Sequence, residues 1–352
     1  MPAKALNVFR MEAAVNLRGG LRVAIITGLL VAVCVATDHG ALALPLASGS
    51  LFTGVAEAGE KSGQRWRTML WATFWLTLSA FIGGVLTTSF WAGLLATAVV
   101  AAIAGVSGSA GPRAGLIGLL GLVIFTVYLG APDTATTPLQ AALLITIGGL
   151  LQSLAMIVPY LLTNPGALRI AGERQPPWWP QVRAHLRWPD PYVNHAVRLT
   201  LAVTFATALA DSTSLEHQYW LPMTVAWVTQ SGRTGTVHRV ISRVLGTIGG
   251  LIVVFLVIEL LKAHGQWFSV ICAISAGVAV ACITANYVYA VVGITTLVLT
   301  LLFMDGDPLG STMWQRLAET VAAGVIAIIA LSIWPDRSEE ETAPEQPASR
   351  AG

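Results

Sequence analysis

Apolar runs of about 15 to 23 residues recur along the chain from Leu21 to Trp334. A helix crossing about 30 Å of hydrocarbon at 1.5 Å per residue needs runs of roughly that length. The remaining residues do not furnish a normal water-facing surface. Only 11% of the chain is charged and 55% is hydrophobic, where a soluble domain carries about 25% charged residues. The runs do not alternate apolar and polar positions, which sets aside a membrane β-barrel, the other fold that satisfies every backbone group in lipid. The expectation is an all-α polytopic membrane protein of about twelve transmembrane helices, with membrane lipid as its solvent. The first run follows about twenty residues and the chain then continues to span, so Met1 to Gly20 reads as a cytoplasmic start rather than a cleaved signal. Cys34, Cys272 and Cys282 all fall inside apolar runs, where a free thiol behaves as a small hydrophobe.

Landmarks recur at one offset. Arg22 and Arg198, Arg67 and Arg243, Pro132 and Pro308, and Pro159 and Pro335 are each 176 residues apart, half of the 352-residue chain. They sit at matching places in two sets of six apolar segments, as a duplication requires. The first set is expected near 21 to 37, 41 to 56, 67 to 87, 90 to 106, 114 to 130 and 139 to 160. The second is expected near 197 to 211, 218 to 231, 240 to 260, 267 to 284, 287 to 304 and 314 to 334. The organisation that follows is a start at 1–20, a six-helix repeat at 21–160, a connector at 161–194, a second repeat at 195–335 and an acidic tail at 336–352. Rich in proline and arginine, including Arg169, Arg174, Arg183 and Arg187, the connector reads as polar and extended.

Lys4, Arg10, Arg18, Lys61, Arg65, Arg67, Arg113, the connector arginines, Arg233, Arg239 and Arg243 all fall on one side of this layout. The opposite side has only Lys262 and Arg316 among its basic residues, and carries Asp38, Asp133, Asp211, Glu216, Asp305 and Asp307. Basic residues collect on the cytoplasmic side, so both termini are expected inside the cell membrane and the two repeats are expected to be parallel.

The second segment of each set is the irregular one, with Pro45 and Gly49 in the first and Pro222 in the second, which is short for a span. Short or interrupted segments at matching positions point to a transporter's binding site. A basic turn follows each, and in the second set Arg239 and Arg243 share a helix face. Together with Arg22 and Arg198 at the first-helix starts they would form a positive vestibule that gathers anions, since arginine offers a planar fork to carboxylates. Positive-inside anchoring accounts for the same residues without any ligand. Glu319 is an ionisable group one turn inside the last segment. It either relays protons or pairs with Arg316 three residues earlier. Asp211 and His217 are further candidates for proton coupling, His217 because it sits beside the carboxylate of Glu216. Gly246 and Gly250 form a G-x-x-x-G that reads as helix packing.

The stretch Tyr219-Trp220-Leu221-Pro222-Met223-Thr224-Val225-Ala226-Trp227-Val228, continuing through Arg239, Arg243 and Gly246-Thr247-Ile248-Gly249-Gly250, resembles the fusaric acid resistance-like (FUSC) family. The likeness is good over about 194 to 336 and weak over the first half, where Leu44-Pro45-Leu46-Ala47-Ser48 stands in place of the Tyr-Trp-Leu-Pro signature. That family includes exporters of aromatic carboxylic acids and is similar to the aluminium-activated malate transporters of plants. The resemblance implies outward transport of organic acid anions, with Trp220, Pro222 and Trp227 along the path beside Arg22, Arg198, Arg239 and Arg243. A passive anion channel and a membrane scaffold that carries no solute stay open as alternatives, as do a homo-oligomer and a partner subunit. The chain has no G-x-x-x-x-G-K-[ST], H-E-x-x-H or G-x-S-x-G pattern, so any driving force is expected from a gradient or another chain, and no enzyme, metal site or cofactor is expected. No nucleic-acid partner is expected either.

Overall fold

A computed structural model describes residues 8–57, 65–131, 136–163, 178–188, 190–213, 216–230 and 232–333. Among them the regular elements are helical throughout. In chain order they are α1 (Leu17–Ala36), α2 (Ala43–Ala56, after a 3-10 turn at Gly40–Leu42), α3 (Arg65–Leu86), α4 (Phe90–Ser107), α5 (Pro112–Leu129), α6 (Pro138–Thr163), α7 (Trp178–His185) and α8 (Pro191–Asp211). There follow α9 (Trp220–Val228), α10 (Arg233–Val254, continuing as π-helix to Leu260), α11 (Trp267–Cys282), α12 (Tyr287–Met304) and α13 (Leu309–Ile333).

Nine of the described helices, α1, α3, α4, α5, α6, α8, α10, α12 and α13, are long and apolar enough to cross a membrane. The protein is a multi-pass helical membrane protein. Its large apolar side chains face outward. On α1, Leu21, Ile25, Leu29 and Val33 make an exposed stripe at four-residue spacing, while Gly20, Val23, Thr27 and Val31 face the interior. About twelve spans were expected from the apolar runs, and the shortfall lies in α2, α9 and α11. The nine residues of α9 reach only about 14 Å, under half the hydrocarbon thickness. All nine of them are buried, as are nearly all of α2. A helix apolar on every face belongs in the interior, and these two are enclosed by the longer helices.

Small residues set the closest approaches. α1 lies along α11, and α4 lies along α8. A Cβ on Gly20 would come within 2.7 Å of both the Ala281 Cβ and the Gly277 carbonyl oxygen, and a Cβ on Gly105 within 2.7 Å of the Ala196 Cβ. Adding 176 to 20 and to 105 gives 196 and 281, so the two contacts exchange partners under the same offset. Gly246 and Gly250 pack against α12, where added Cβ atoms would meet the Val288 oxygen at 2.7 Å and the Thr295 Cβ at 2.6 Å. α3 packs against both α5 and α6, as α10 packs against both α12 and α13. Helix starts match as well: α2 and α9 are 177 residues apart, α4 and α11 177, and α5 and α12 175.

Three local expectations are corrected. Pro45 and Pro222 each occupy the third position of their helix, where no earlier turn carbonyl awaits their missing N–H, so they begin α2 and α9 rather than interrupt them. The basic segment from Arg233 to Arg243 is not a turn but the first three turns of α10, launched by Gly232 at φ 93°. Within the connector, Trp178–His185 is helical and not extended, with His185 Nδ1 2.9 Å from Asp190 Oδ2. Lys4, Lys61, Pro132, Asp133, Arg169, Arg174, Pro335 and the acidic tail lie outside the described residues.

Candidate functional site

The four arginines expected in one vestibule separate into two kinds. Arg22 on α1 pairs with Glu57, the C-cap residue of α2, and Glu57 is almost fully buried. Arg198 on α8 is 1% exposed and its Nη2 donates to the Gln230 carbonyl at 2.6 Å, just past the end of α9. A cation at a helix C-terminus meets unsatisfied carbonyls and the negative end of the helix dipole. Both arginines therefore tether the end of a short central helix, and they do not line an open positive mouth.

Arg243 lies deeper. Nearly three turns into α10 it is 1% exposed, its Nη1 reaches the Tyr287 hydroxyl at 3.4 Å, and its Nε and Nη2 have no hydrogen-bond partner among the described residues. Arg239, one turn earlier on the same face, sets its guanidinium 3.9 Å from the centroid of the Tyr287 ring. Trp227 of α9 packs on that ring at 6.4 Å. Towards the other end of the bundle, Arg316 on α13 is also 1% exposed, lies 4.9 Å from the Trp220 ring centroid and has an unpartnered Nη1. Trp220 stacks on His217 at 4.4 Å with 12° between the planes, and His217 Nε2 is 2.9 Å from Asp307 Oδ2. Arg243 and Arg316 are within electrostatic reach of each other. A file of cations and aromatic rings thus runs from the half-buried Arg239 through the buried Tyr287, Arg243, Arg316 and Trp220 to His217.

The proton candidates do not assemble. Glu319 accepts from Gln315 Nε2 at 2.9 Å through Oε1, leaving Oε2 buried and without a described partner. No salt bridge within 4 Å joins it to Arg316 among the described residues, since Arg316 turns to Trp220. The carboxylate instead lies against the first turn of α9, in contact with the Leu221 backbone. His217 finds its carboxylate in Asp307, ninety residues along the chain, rather than in Glu216. Asp211 ends α8 and lines a cleft with Thr126, Gln218, Tyr219 and Pro222, so Pro222 faces that cleft. Outside the membrane-spanning helices, burial and the neighbouring Asp307 push the Asp305 carboxyl above its ordinary range.

Burying a charged guanidinium costs several kcal/mol unless it is paired, and two within electrostatic reach of each other add repulsion in a low-dielectric interior. Arg243 and Arg316 have hydroxyls close by on the same helices, with the buried Thr247 one turn from Arg243 and the buried Thr312 and Thr320 one turn either side of Arg316. Such an arrangement lowers its free energy by taking up an anion whose oxygens meet the unpartnered N–H groups.

Residues 203–330 match the family model described as fusaric acid resistance protein-like. Over that segment the chain is similar to this family. The Escherichia coli protein YhfK is 28% identical over 167 residues, 46% of this chain and 23% of YhfK. The Neisseria gonorrhoeae protein ORF2 is 30% identical over 161 residues, 45% of this chain and 38% of ORF2. The inner membrane protein YccS of Escherichia coli is 29% identical over 160 residues, 45% of this chain and 22% of YccS. The matches thus span under two fifths of each of these curated relatives. No solved structure matches.

The fusaric acid resistance-like segment contains the whole file. At positions 176 residues earlier the first half has Ala41 for His217, Leu44 for Trp220, Leu51 for Trp227, Gly111 for Tyr287, Gln140 for Arg316 and Leu143 for Glu319. Only Arg67 keeps a charge, and it is exposed. In place of the file the first half has a neutral network, with Thr27 Oγ1 3.0 Å from Ser50 Oγ, Ser50 reaching Gln152 Oε1 at 3.5 Å, and Thr53 and Thr73 hydroxyls 3.2 Å apart. Sequence reasoning passed over four residues as site members: Glu57, Tyr287, Arg316 and Asp307. Arg316 carried a usable signal, a charge inside a long apolar run. Tyr287 and Glu57 carried none.

Proposed function

We propose that the protein is a secondary transporter that moves organic carboxylate anions, aromatic ones among them, through the file in its second half. The observation that carries this is the pair of buried guanidinium groups, Arg243 and Arg316, set among Trp220, Trp227 and Tyr287 with donor nitrogens that have no described partner. Carboxylate oxygens suit the nitrogens, and an aromatic body suits the rings. The family of residues 203–330 adds to this reading. The path is proposed to run outward, with Arg239 and Arg243 meeting the anion before Arg316. Arg22 and Arg198 would contribute by holding α2 and α9 in place.

In this reading the chain is two parallel six-helix repeats, α1 to α6 and α8 to α13, in the inner or plasma membrane. The end rich in arginine and both termini face the cytoplasm. The first repeat keeps the scaffold and the second keeps the chemistry. Glu319, whose buried carboxylate lies beside the file against the first turn of α9, is proposed to carry the coupling proton. His217 and Asp211 stand at the other end.

The test is flux of benzoate into proteoliposomes. Wild-type protein is expected to exceed protein-free vesicles, and Arg243→Met to cut the flux at least tenfold without loss of folded protein. Equal flux with and without protein, together with no change in melting temperature on adding benzoate or other organic acids, would remove the anion reading. A pH profile of flux that stays the same in Glu319→Gln would take Glu319 out of coupling.

A further inference from the structure

Before α1 begins, residues 8–16 lie back across the end of the bundle where α11 turns into α12. The Glu12 N–H donates to the Ala285 carbonyl at 2.7 Å and the Asn16 N–H to the Ala281 carbonyl at 2.9 Å. Val8 is buried. Between these bonds sits Asn286, 4% exposed, whose Nδ2 donates to the Val8 carbonyl at 2.9 Å and to the Arg10 carbonyl at 3.0 Å. Its Oδ1 accepts from the Val288 N–H at 2.8 Å, which makes it the N-cap of α12. Capping needs only the oxygen. Both amide hydrogens are spent on a segment some 280 residues away in sequence.

The residue after Asn286 is Tyr287, which lies beneath Arg239, accepts from Arg243 and packs on Trp227. Tyr287 is buried, as are Trp227 and Arg243, so this cluster closes the file at the arginine-rich end. We infer that residues 8–16 are a strap acting through Asn286 to hold Tyr287 in the closed position, so that Asn286 is a positioning residue governing access to Arg243. The first half has no counterpart, since the residues 176 earlier are Ala110 and Gly111, and Gly111 carries no side chain to close anything. The closure is geometric, and only what passes it rests on the organic-anion reading.

The experiment uses the full chain, purified in detergent, with Cys34, Cys272 and Cys282 replaced by alanine and Thr247→Cys as reporter. Thr247 is fully buried and one turn beyond Arg243. The rate of modification by a charged methanethiosulfonate reads access to the file. Asn286→Asp keeps the oxygen that caps α12 and loses the two donors, and is expected to raise the rate at least tenfold. Glu12→Pro removes the N–H bonded to Ala285 and is expected to raise it several-fold. Rates equal to the parent's in both variants overturn the strap, because a residue serving only as a helix cap would give that result. Benzoate flux measured beside it separates the two readings. Absent flux in the parent with raised labelling in the variants removes the anion and leaves the strap, whereas normal flux with unchanged labelling removes the strap alone.

Discussion

The guanidinium of Arg316 lies 4.9 Å from the ring centroid of Trp220, within the buried core and with no carboxylate in salt-bridge range among the described residues. His217 also stacks on Trp220, at 4.4 Å, and is bonded to Asp307. A desolvated cation over an indole gains about 2 kcal/mol, less than the several kcal/mol that burying the charge costs. On the proposed function, that expense is kept for binding an anion. Arg316→Met, which retains the stem and removes the charge, is expected to lower benzoate flux tenfold or more while the melting midpoint rises by about 2 °C or more. Flux assays and thermal unfolding on the same preparation check both halves.

The Arg22 and Glu57 pair is structural by contrast. Glu57 is nearly inaccessible, so losing Arg22 strands a buried carboxylate. Arg22→Met is expected to destabilise the protein by about 3–5 kcal/mol, and the double variant Arg22→Met, Glu57→Leu to recover most of that loss. Unfolding curves of the two variants and wild type decide it. Equal stability of single and double variants would show that the stranded Glu57 carboxylate carries no cost of its own.

Helix contact at the two interfaces between halves rests on glycine. Gly20→Ala and Gly105→Ala each force a methyl into an alanine of the facing helix, and crowding of this kind costs about 1–3 kcal/mol. The two losses are expected to match, because the contacts exchange under the 176-residue offset. Melting temperatures of the single variants measure this, and a large difference between them would argue against equivalent interfaces.

Asp305 sits at the C-terminal end of α12 with its carboxyl raised by burial first and by Asp307 second. A carboxyl raised in the folded state favours folding while it is protonated, and that contribution is lost as pH rises from the ordinary value near 4 through the raised one. Asp305→Asn is therefore expected to melt higher than wild type at pH 7, with the difference vanishing below about pH 4. A difference that persists in acid would point to a cause other than the carboxylate charge.

Hydropathy adds up along the chain, so the apolar runs by themselves established that lipid surrounds this protein. The equal spacing of Arg22 and Arg198 or Arg67 and Arg243 is likewise a property of the string and needs no fold to be seen. The partners of charged residues were decided elsewhere. Adjacency along a helix suggested Glu319 for Arg316 and adjacency in a loop suggested Glu216 for His217, yet the structure gives Arg316 to Trp220 and His217 to Asp307. Rotation and depth of each helix determine which side chains meet, and these are fixed by close contacts such as Gly20 on Ala281 and Gly250 on Thr295. Two residues far apart in sequence make each such contact, so its energy exists only once the helices are packed. For the same reason the arginines divided only in the folded chain, with Arg22 and Arg198 holding helix ends while Arg243 and Arg316 stand buried beside the aromatic rings.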